Sequence, residues 1–91
     1  MRFQDKTVIV TGASRGLGKQ IALEFAKKGA AVVINYSSAK EEAGKVVNEI
    51  KLAGGRAISV QTDVSTAADV ERLFDEASRQ FGKIDIVINN A

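Results

Sequence analysis

Residues 6–18 read Lys-Thr-Val-Ile-Val-Thr-Gly-Ala-Ser-Arg-Gly-Leu-Gly, and this stretch decides the fold. The β-branched run over residues 6–11 predicts a short strand buried on both faces, as in parallel sheets. Apolar residues then recur at helical spacing over residues 17–26 and predict a helix, which Gly29 ends. The glycines between them therefore occupy a strand-to-helix turn, the place where parallel α/β sheets bind phosphates.

The three glycines of this turn each have a predicted role. Gly12 permits the tight turn off the strand, Gly16 lets a pyrophosphate approach the backbone, and Gly18 lets the helix pack closely on the strand. The spacing is Gly-x-x-x-Gly-x-Gly, which differs from the usual Gly-x-Gly-x-x-Gly pattern. It also fails the P-loop pattern, because Lys19 is followed by Gln20 and not by Ser or Thr. The alternative interpretation is that the glycines serve only a tight connection.

The rest of the chain alternates in the same way. Three further apolar runs, at residues 31–36, 57–62 and 84–89, predict strands. The order β-α-β-α-β-α-β with short connections predicts a parallel sheet with right-handed crossovers. We therefore expect one domain over residues 1–91, the βαβαβαβ half of a doubly wound Rossmann-type α/β fold with strand order 3-2-1-4.

The helices between these strands have predicted caps and inward faces. Ser37 and Ser38 offer N-cap hydroxyls to the second helix, and Ser65 or Thr66 to the third. Gly54-Gly55 ends the second helix, and Phe81-Gly82 ends the third. The residues expected to face inward are Val46, Val47, Ile50 and Ala53 in the second helix, and Val70, Leu73, Phe74 and Ala77 in the third.

The predicted topology leaves one face of the sheet thinly covered. In the order 3-2-1-4, the first two helices cover one face, and the third helix alone covers the other. We therefore expect much of that second face, and the free edge of the fourth strand, to be open to water or to a partner. This expectation suggests a fragment of a longer protein, or a chain of which only part is recorded.

Composition excludes several chemistries. The 91 residues contain no cysteine and no histidine, so thiolate nucleophiles, disulfides, Cys/His zinc sites and imidazole bases are absent. No run approaches 18 apolar residues and no signal-peptide pattern is present, so we expect a cytoplasmic protein without a membrane partner. The net charge of +2 is too small to indicate nucleic acid.

The charge is unevenly distributed along the chain. Residues 1–56 hold ten Lys/Arg against five Asp/Glu, and the remainder holds three against six. This asymmetry suits a small anionic ligand bound by the N-terminal half. The alternative is an uneven distribution of charged residues over the surface without a ligand.

Three motifs, in order along the chain, resemble those of the short-chain dehydrogenase/reductase family. Residues 11–18 are similar to its Thr-Gly-x-x-x-Gly-x-Gly cofactor motif, residues 63–64 (Asp-Val) to its adenine-contacting pair, and residues 89–91 (Asn-Asn-Ala) to the start of its Asn-Asn-Ala-Gly motif. The resemblance covers the whole chain as the N-terminal portion of a longer member. Within this family, the sequences of residues 11–18 and 33–38 are most similar to those of 3-oxoacyl-[acyl-carrier-protein] reductases and related sugar dehydrogenases.

The resemblance implies a set of cofactor-binding residues. The backbone around the glycine turn would hold the pyrophosphate, Asp63 and Val64 would contact adenine, and Asn90 and Ala91 would lie beside the nicotinamide ribose. The alternatives are that Asp63 is a helix cap or exposed turn carboxylate and that Asn89 and Asn90 tie neighbouring loops together. The full set comprises Gly12, Ser14, Arg15, Gly16, Leu17, Gly18, Asn35, Tyr36, Ser37, Asp63, Val64, Asn90 and Ala91.

Two features of the sequence indicate which cofactor is bound: Arg15 in the glycine turn and the lack of a carboxylate after the second strand. A carboxylate after the second strand would hold the ribose hydroxyls of NAD and repel a 2′-phosphate, but residues 35–38 contain no acid. Arg15 has the bidentate geometry that suits a 2′-phosphate. The sequence therefore favours NADP(H), with NAD(H) still possible; the alternative for Arg15 is a solvated loop cation.

The family's catalytic residues are not assigned to this chain. The resemblance implies a Ser and a Tyr-x-x-x-Lys pair downstream of the Asn-Asn-Ala-Gly motif, and Tyr36 with Lys40 matches that spacing only by coincidence. The expected function is the cofactor-binding part of an NADP(H)-dependent oxidoreductase that acts on a small-molecule carbonyl, such as a 3-oxoacyl thioester, or on a secondary alcohol, in a homo-oligomer. The alternatives are a standalone nucleotide-binding or self-associating module without catalysis, and a structural half-fold that dimerises.

Overall fold

The computed structural model describes residues 3–90 and contains four strands and three helices. The strands are β1 (Thr7–Val10), β2 (Ala31–Tyr36), β3 (Arg56–Gln61) and β4 (Ile86–Ile88); the helices are α1 (Gly16–Lys27), α2 (Lys40–Leu52) and α3 (Ala67–Phe81). All strand pairs are parallel, and their order is β3-β2-β1-β4. The predicted fold class and strand order are confirmed.

The α1 and α2 face of the sheet carries the larger core. Residues at alternate positions of β1 and β2, which are Val8, Val10, Val32 and Ile34, are fully buried there. The period of two along each strand places their neighbours on the opposite face. The β-branched content of both strands suits this two-sided burial.

The α3 face is covered more completely than the sequence suggests. Ile9 and Val33 are fully buried, and Val60 is 7% exposed, because Leu73 and Ala77 of α3 pack over them. The apolar side chain left open on the strands is Val87 of β4, which is 43% exposed. The expectation that much of this face is open is therefore wrong for β1 to β3 and holds only at β4.

The helix ends correct some local predictions. The N-cap of α2 is Ala39, without a side-chain capping bond, so the expected role of Ser37 and Ser38 is wrong. Thr66 does cap α3, since its hydroxyl accepts from the Asp69 N–H at 3.2 Å. The inward set is also smaller than predicted, since Ala53 is the exposed C-cap of α2 and Phe74 remains 37% exposed.

The last strand is shorter than the apolar run that predicts it. Only residues 86–88 form β4, whereas the sequence suggests 84–89. At its start, the Asp85 carboxylate accepts from the Thr7 N–H at 2.8 Å, so a side chain takes the place of a main-chain partner. At its end, the residues after β4 turn their polar groups toward the loop that follows β1.

Candidate functional site

The loop between β1 and α1 depends on glycine at two kinds of position. Gly12 and Gly16 have φ angles of +60° and +62°, which side-chain-bearing residues rarely adopt. Gly18 is needed for a different reason, because a Cβ there would collide with the carbonyl oxygen of Gly12 and with Nδ2 of Asn90. The predicted roles of Gly12 in the turn and Gly18 in close packing are what the geometry requires.

The start of α1 offers main-chain donors to a ligand. Arg15 is the N-cap and its side chain makes no capping bond. The Lys19 N–H donates to the Arg15 carbonyl at 3.3 Å, so the N–H groups of Gly16, Leu17 and Gly18 lie ahead of it in the first turn. A Cβ at Gly16 would meet nothing within 4 Å, so the space beside this residue at the helix end is open. The arrangement fits a phosphate or pyrophosphate.

The loop is tied to the segment after β4. The Asn90 N–H donates to the Thr11 hydroxyl oxygen at 2.9 Å, and Asn90 Nδ2 donates to the Gly12 carbonyl at 3.2 Å. The Thr11 hydroxyl also lies 3.3 Å from Asn89 Oδ1. Both asparagines therefore tie neighbouring loops together, the alternative interpretation of the sequence. Asn90 also borders the helix end through its contact with Gly12.

Asn35, at the end of β2, is buried beneath the same loop. It is 2% exposed. Its Oδ1 accepts from the Gly12 N–H at 3.4 Å, and its main-chain carbonyl accepts from the Ala13 N–H at 3.0 Å. Its Nδ2 donates to Thr62 Oγ1 at 2.6 Å. In the structure Asn35 therefore contacts the glycine loop from below.

Tyr36 and Ser37 occupy different environments. Tyr36 is 8% exposed and packs into the core between the sheet and the helices α1 and α2. Ser37 is exposed, and its carbonyl accepts from Gln61 Nε2 at 2.9 Å. The burial of Tyr36 agrees with the view that its spacing to Lys40 is a coincidence.

A basic groove lies beside the glycine loop. It has a volume of about 410 Å³ and is bordered by cations from two helices and the loop. The cations are Arg15, Lys19 and Lys45, with Glu42 as the one carboxylate in the lining. Lys19 also lies 3.9 Å from Glu49, at salt-bridge distance. The groove therefore has a net positive charge within reach of the α1 N-terminus.

Asp63 and Val64 follow β3. Asp63 Oδ1 accepts from the Ser65 N–H at 3.0 Å, which closes a turn, and the residue is exposed. Hydrogen bonds from the Ser65 side chain and then from its backbone lower the pKa of Asp63, so the carboxylate is charged at neutral pH. Val64 packs against the core beneath α3. The turn role agrees with the alternative interpretation and leaves the charged group at the sheet edge.

Sequence reasoning did not single out Thr62, and Ala91 lies outside the described residues. Thr62 is 1% exposed and completes the partners of Asn35. The signal was present, because Thr62 ends the third predicted strand with a polar residue, as Thr11 ends the first. Across residues 3–90, no helix is long and apolar enough to span a membrane. No cluster of three potential metal ligands occurs there either.

Known proteins match both the sequence and the fold. A family model described as short chain dehydrogenase matches residues 6–91. The chain is 52% identical over 86 residues to a hydroxynaphthalene reductase-like protein of Metarhizium robertsii, covering 94% of this chain and 32% of that protein. It is 49% identical over 90 residues to an uncharacterized oxidoreductase of Methylorubrum extorquens, covering 99% and 36%.

Solved structures agree. A hydroxysteroid dehydrogenase from Escherichia coli matches with a TM-score of 0.94 and 41% identity, over 99% of this chain and 38% of that one. A dehydrogenase/reductase from Sinorhizobium meliloti gives a TM-score of 0.94 and 43% identity, over 97% and 35%. The chain spans about a third of the length of the curated relatives it matches. With its glycine loop, its sheet order and these matches, the chain belongs to the short-chain dehydrogenase family.

Proposed function

We propose that this chain is the dinucleotide-binding part of a cytoplasmic, NADP(H)-dependent short-chain oxidoreductase. The observation that carries the proposal is the start of α1, where no Arg15 side chain caps the first-turn N–H groups of residues 16–18 and the space beside the Gly16 Cα is open. Members of this family use nicotinamide dinucleotides. The bound dinucleotide would supply hydride transfer between nicotinamide and a carbonyl or secondary alcohol.

The residues present fit such a group along the carboxyl edge of the sheet. The start of α1 would hold the pyrophosphate through main-chain N–H groups. Asp63, exposed and charged, would accept from the adenine amino group, with Val64 against the ring. Asn90, together with Ala91, would lie beside the nicotinamide ribose. Ligands of open α/β sheets bind at this edge, where the strand order reverses between β1 and β4.

The preference for NADP(H) rests on charge. Arg15 is exposed in the basic groove with Lys19 and Lys45, and residues 35–38 offer no carboxylate that would repel a 2′-phosphate. A guanidinium binds phosphate in a bidentate manner and suits this position. The substrate class we propose is a small carbonyl compound, such as a 3-oxoacyl thioester. A hydroxynaphthalene, the compound in the name of the Metarhizium protein, is the other candidate.

The test is direct binding by isothermal titration calorimetry. The chain should bind NADP⁺ and 2′,5′-ADP more tightly than NAD⁺ and 5′-AMP. Arg15→Ala should weaken NADP⁺ binding by about tenfold or more and leave NAD⁺ binding nearly unchanged, because only the charged hydrogen bonds to the 2′-phosphate are removed. Lys51→Ala, in the last turn of α2, is the matched control. Equal affinity for NADP⁺ and NAD⁺ in the wild type would remove the cofactor preference, and no binding of any of the four would remove the proposal.

A second candidate function is self-association without catalysis. It is favoured by the exposed apolar residues Val87, at 43%, and Phe74, at 37%, on β4 and α3. A homo-oligomer joined at these residues should dissociate in Val87→Thr. Light scattering distinguishes the homo-oligomer from the monomer. A wild-type chain that is monomeric at all concentrations contradicts this candidate function.

A further inference from the structure

Asn35 joins the carboxyl ends of three neighbouring strands. Its side chain reaches β1 through the Gly12 N–H at 3.4 Å and the end of β3 through Thr62 Oγ1 at 2.6 Å. The same Nδ2 lies 3.4 Å from the Val60 carbonyl and 3.5 Å from the Thr62 carbonyl. One carboxamide therefore links the glycine loop to a strand two positions away in the sheet.

Because the Asn35 side chain is buried, the loss of one of its hydrogen bonds would be costly. Asn35 is 2% exposed and Thr62 is 1% exposed, so water does not readily replace a lost partner. A buried polar group without a partner costs stability, whereas an apolar residue of similar size would pack without needing one. A carboxamide supplies both an acceptor for Gly12 and a donor for Thr62, which a threonine or a carboxylate at this position would not supply in the same geometry.

The link acts on the part of the loop that sets the ligand-facing helix end. Asn35 holds Gly12 through its side chain and Ala13 through its main-chain carbonyl, at 3.0 Å. Gly12 in turn packs against Gly18 in the first turn of α1. A shift of Gly12 is therefore passed to the N–H groups that would face the phosphates.

We infer that Asn35 is a positioning residue, which fixes the glycine loop for the cofactor without touching the cofactor itself. The inference rests on the proposed function for its consequence in binding, but not for its structural content. It also revises the expectation that Asn35 contacts the cofactor. Thr62 is its partner in this role, because it anchors the donor side of the carboxamide to β3.

The test combines amide hydrogen exchange with nucleotide binding. In Asn35→Ala, the exchange of the Gly12 amide should rise by about tenfold relative to the amides of Val8 and Val10, because its acceptor is gone. NADP⁺ binding should weaken by a similar factor. Val33→Ala is the matched control, since Val33 is fully buried in the same strand with no polar role. It should speed all β2 amides together and leave the relative rate at Gly12 unchanged.

Thr62 keeps the inference testable if Asn35→Ala does not fold. Thr62→Val removes the 2.6 Å bond with little change in shape, and Thr62→Ser keeps the hydroxyl. Faster Gly12 exchange in Thr62→Val, with recovery in Thr62→Ser, supports the role. Equal relative exchange at Gly12 in Thr62→Val, Thr62→Ser and Val33→Ala overturns it. If the wild type binds no nucleotide, the proposed function fails, while the exchange at Gly12 still decides the role of Asn35.

Discussion

Gly18 packs directly on the main chain of Gly12, so the first turn of α1 and the end of β1 lie closer than a side chain permits. A Cβ at Gly18 would collide with the Gly12 carbonyl oxygen, which belongs to the backbone and cannot rotate away. This contact holds the helix end at the sheet edge. It leaves no room for a side chain at residue 18.

Gly18→Ala should therefore destabilise the protein by about 1–3 kcal/mol, the usual cost of overpacking. Gly44→Ala is the matched control, because Gly44 is also helical but a Cβ there would meet nothing within 4 Å. That control should stabilise α2 by about 0.5–1 kcal/mol. Urea denaturation of both variants measures the difference. A Gly18→Ala variant as stable as the wild type would contradict the packing described.

Ser37→Asp should reverse the proposed preference for NADP(H) over NAD(H). Ser37 is exposed directly after β2, the position at which a carboxylate binds the ribose hydroxyls of NAD. The new charge would repel a 2′-phosphate, so NADP⁺ affinity should fall by about tenfold or more while NAD⁺ affinity holds or rises. Ser37→Asn is the control, because asparagine has the size of aspartate without its charge. Titration calorimetry measures both affinities. Equal losses in both variants would show that charge is not the cause.

Asp85 should make stability depend on pH in acid. The hydrogen bond from the Thr7 N–H lowers the pKa of Asp85, and the nearby Lys83 and Lys6 lower it further. Because the pKa in the folded state is depressed, the stabilisation is present above the unfolded value of about 3.9 and is lost as pH falls through the folded value.

Asp85→Asn should flatten that acid dependence, because the amide oxygen still accepts from Thr7 but does not titrate. Urea midpoints between about pH 5 and pH 2 measure it. Asp75→Asn, an exposed position on α3, serves as control. An acid slope in Asp85→Asn equal to that of the wild type would refute the assignment. Some slope should persist, since the pKa of Asp63 is lowered as well.

Thr66→Ala should cost about 1 kcal/mol, since the hydroxyl that accepts from the Asp69 N–H at 3.2 Å is lost from the start of α3. Thr66→Ser keeps the hydroxyl and should retain most of the stability. Thermal or urea unfolding of the pair measures the cap. If both variants lose the same amount, the methyl group and not the hydroxyl is responsible.

The strands of the sheet could be predicted because strands buried on both faces consist of continuous runs of apolar, β-branched residues. β2 occupies residues 31–36 as predicted, since its β-branched run has no polar interruption before Asn35. The start of α2 could not be predicted, because Ser37 and Ser38 have suitable hydroxyls but the chain places Ala39 at the cap. Capping depends on where the backbone turns, and composition alone does not determine that.

In the candidate site, too, some features could be predicted from the sequence and others could not. The glycine loop was predictable, because its positive φ angles at Gly12 and Gly16 require glycine at fixed spacing. The pairing of Asn35 with Thr62 was not, because the two are distant in sequence and meet only through strand register. Coverage by α3 was underestimated for a similar reason, since topology gives the number of helices on a face but not the area each one covers.

The hydrogen bonds at the site span very different lengths of chain. Gly12 and Asn35 are 23 positions apart, whereas Asn90 and Thr11 are 79 apart. Contacts that close long loops form against a larger entropy cost, so we expect β1, β2 and β3 to assemble first and β4 to join last. The nicotinamide side of the site would then exist only once folding is complete. A dinucleotide that binds only the complete site would favour the state with β4 paired to β1 over partly folded states, so its affinity would report on the final folding step.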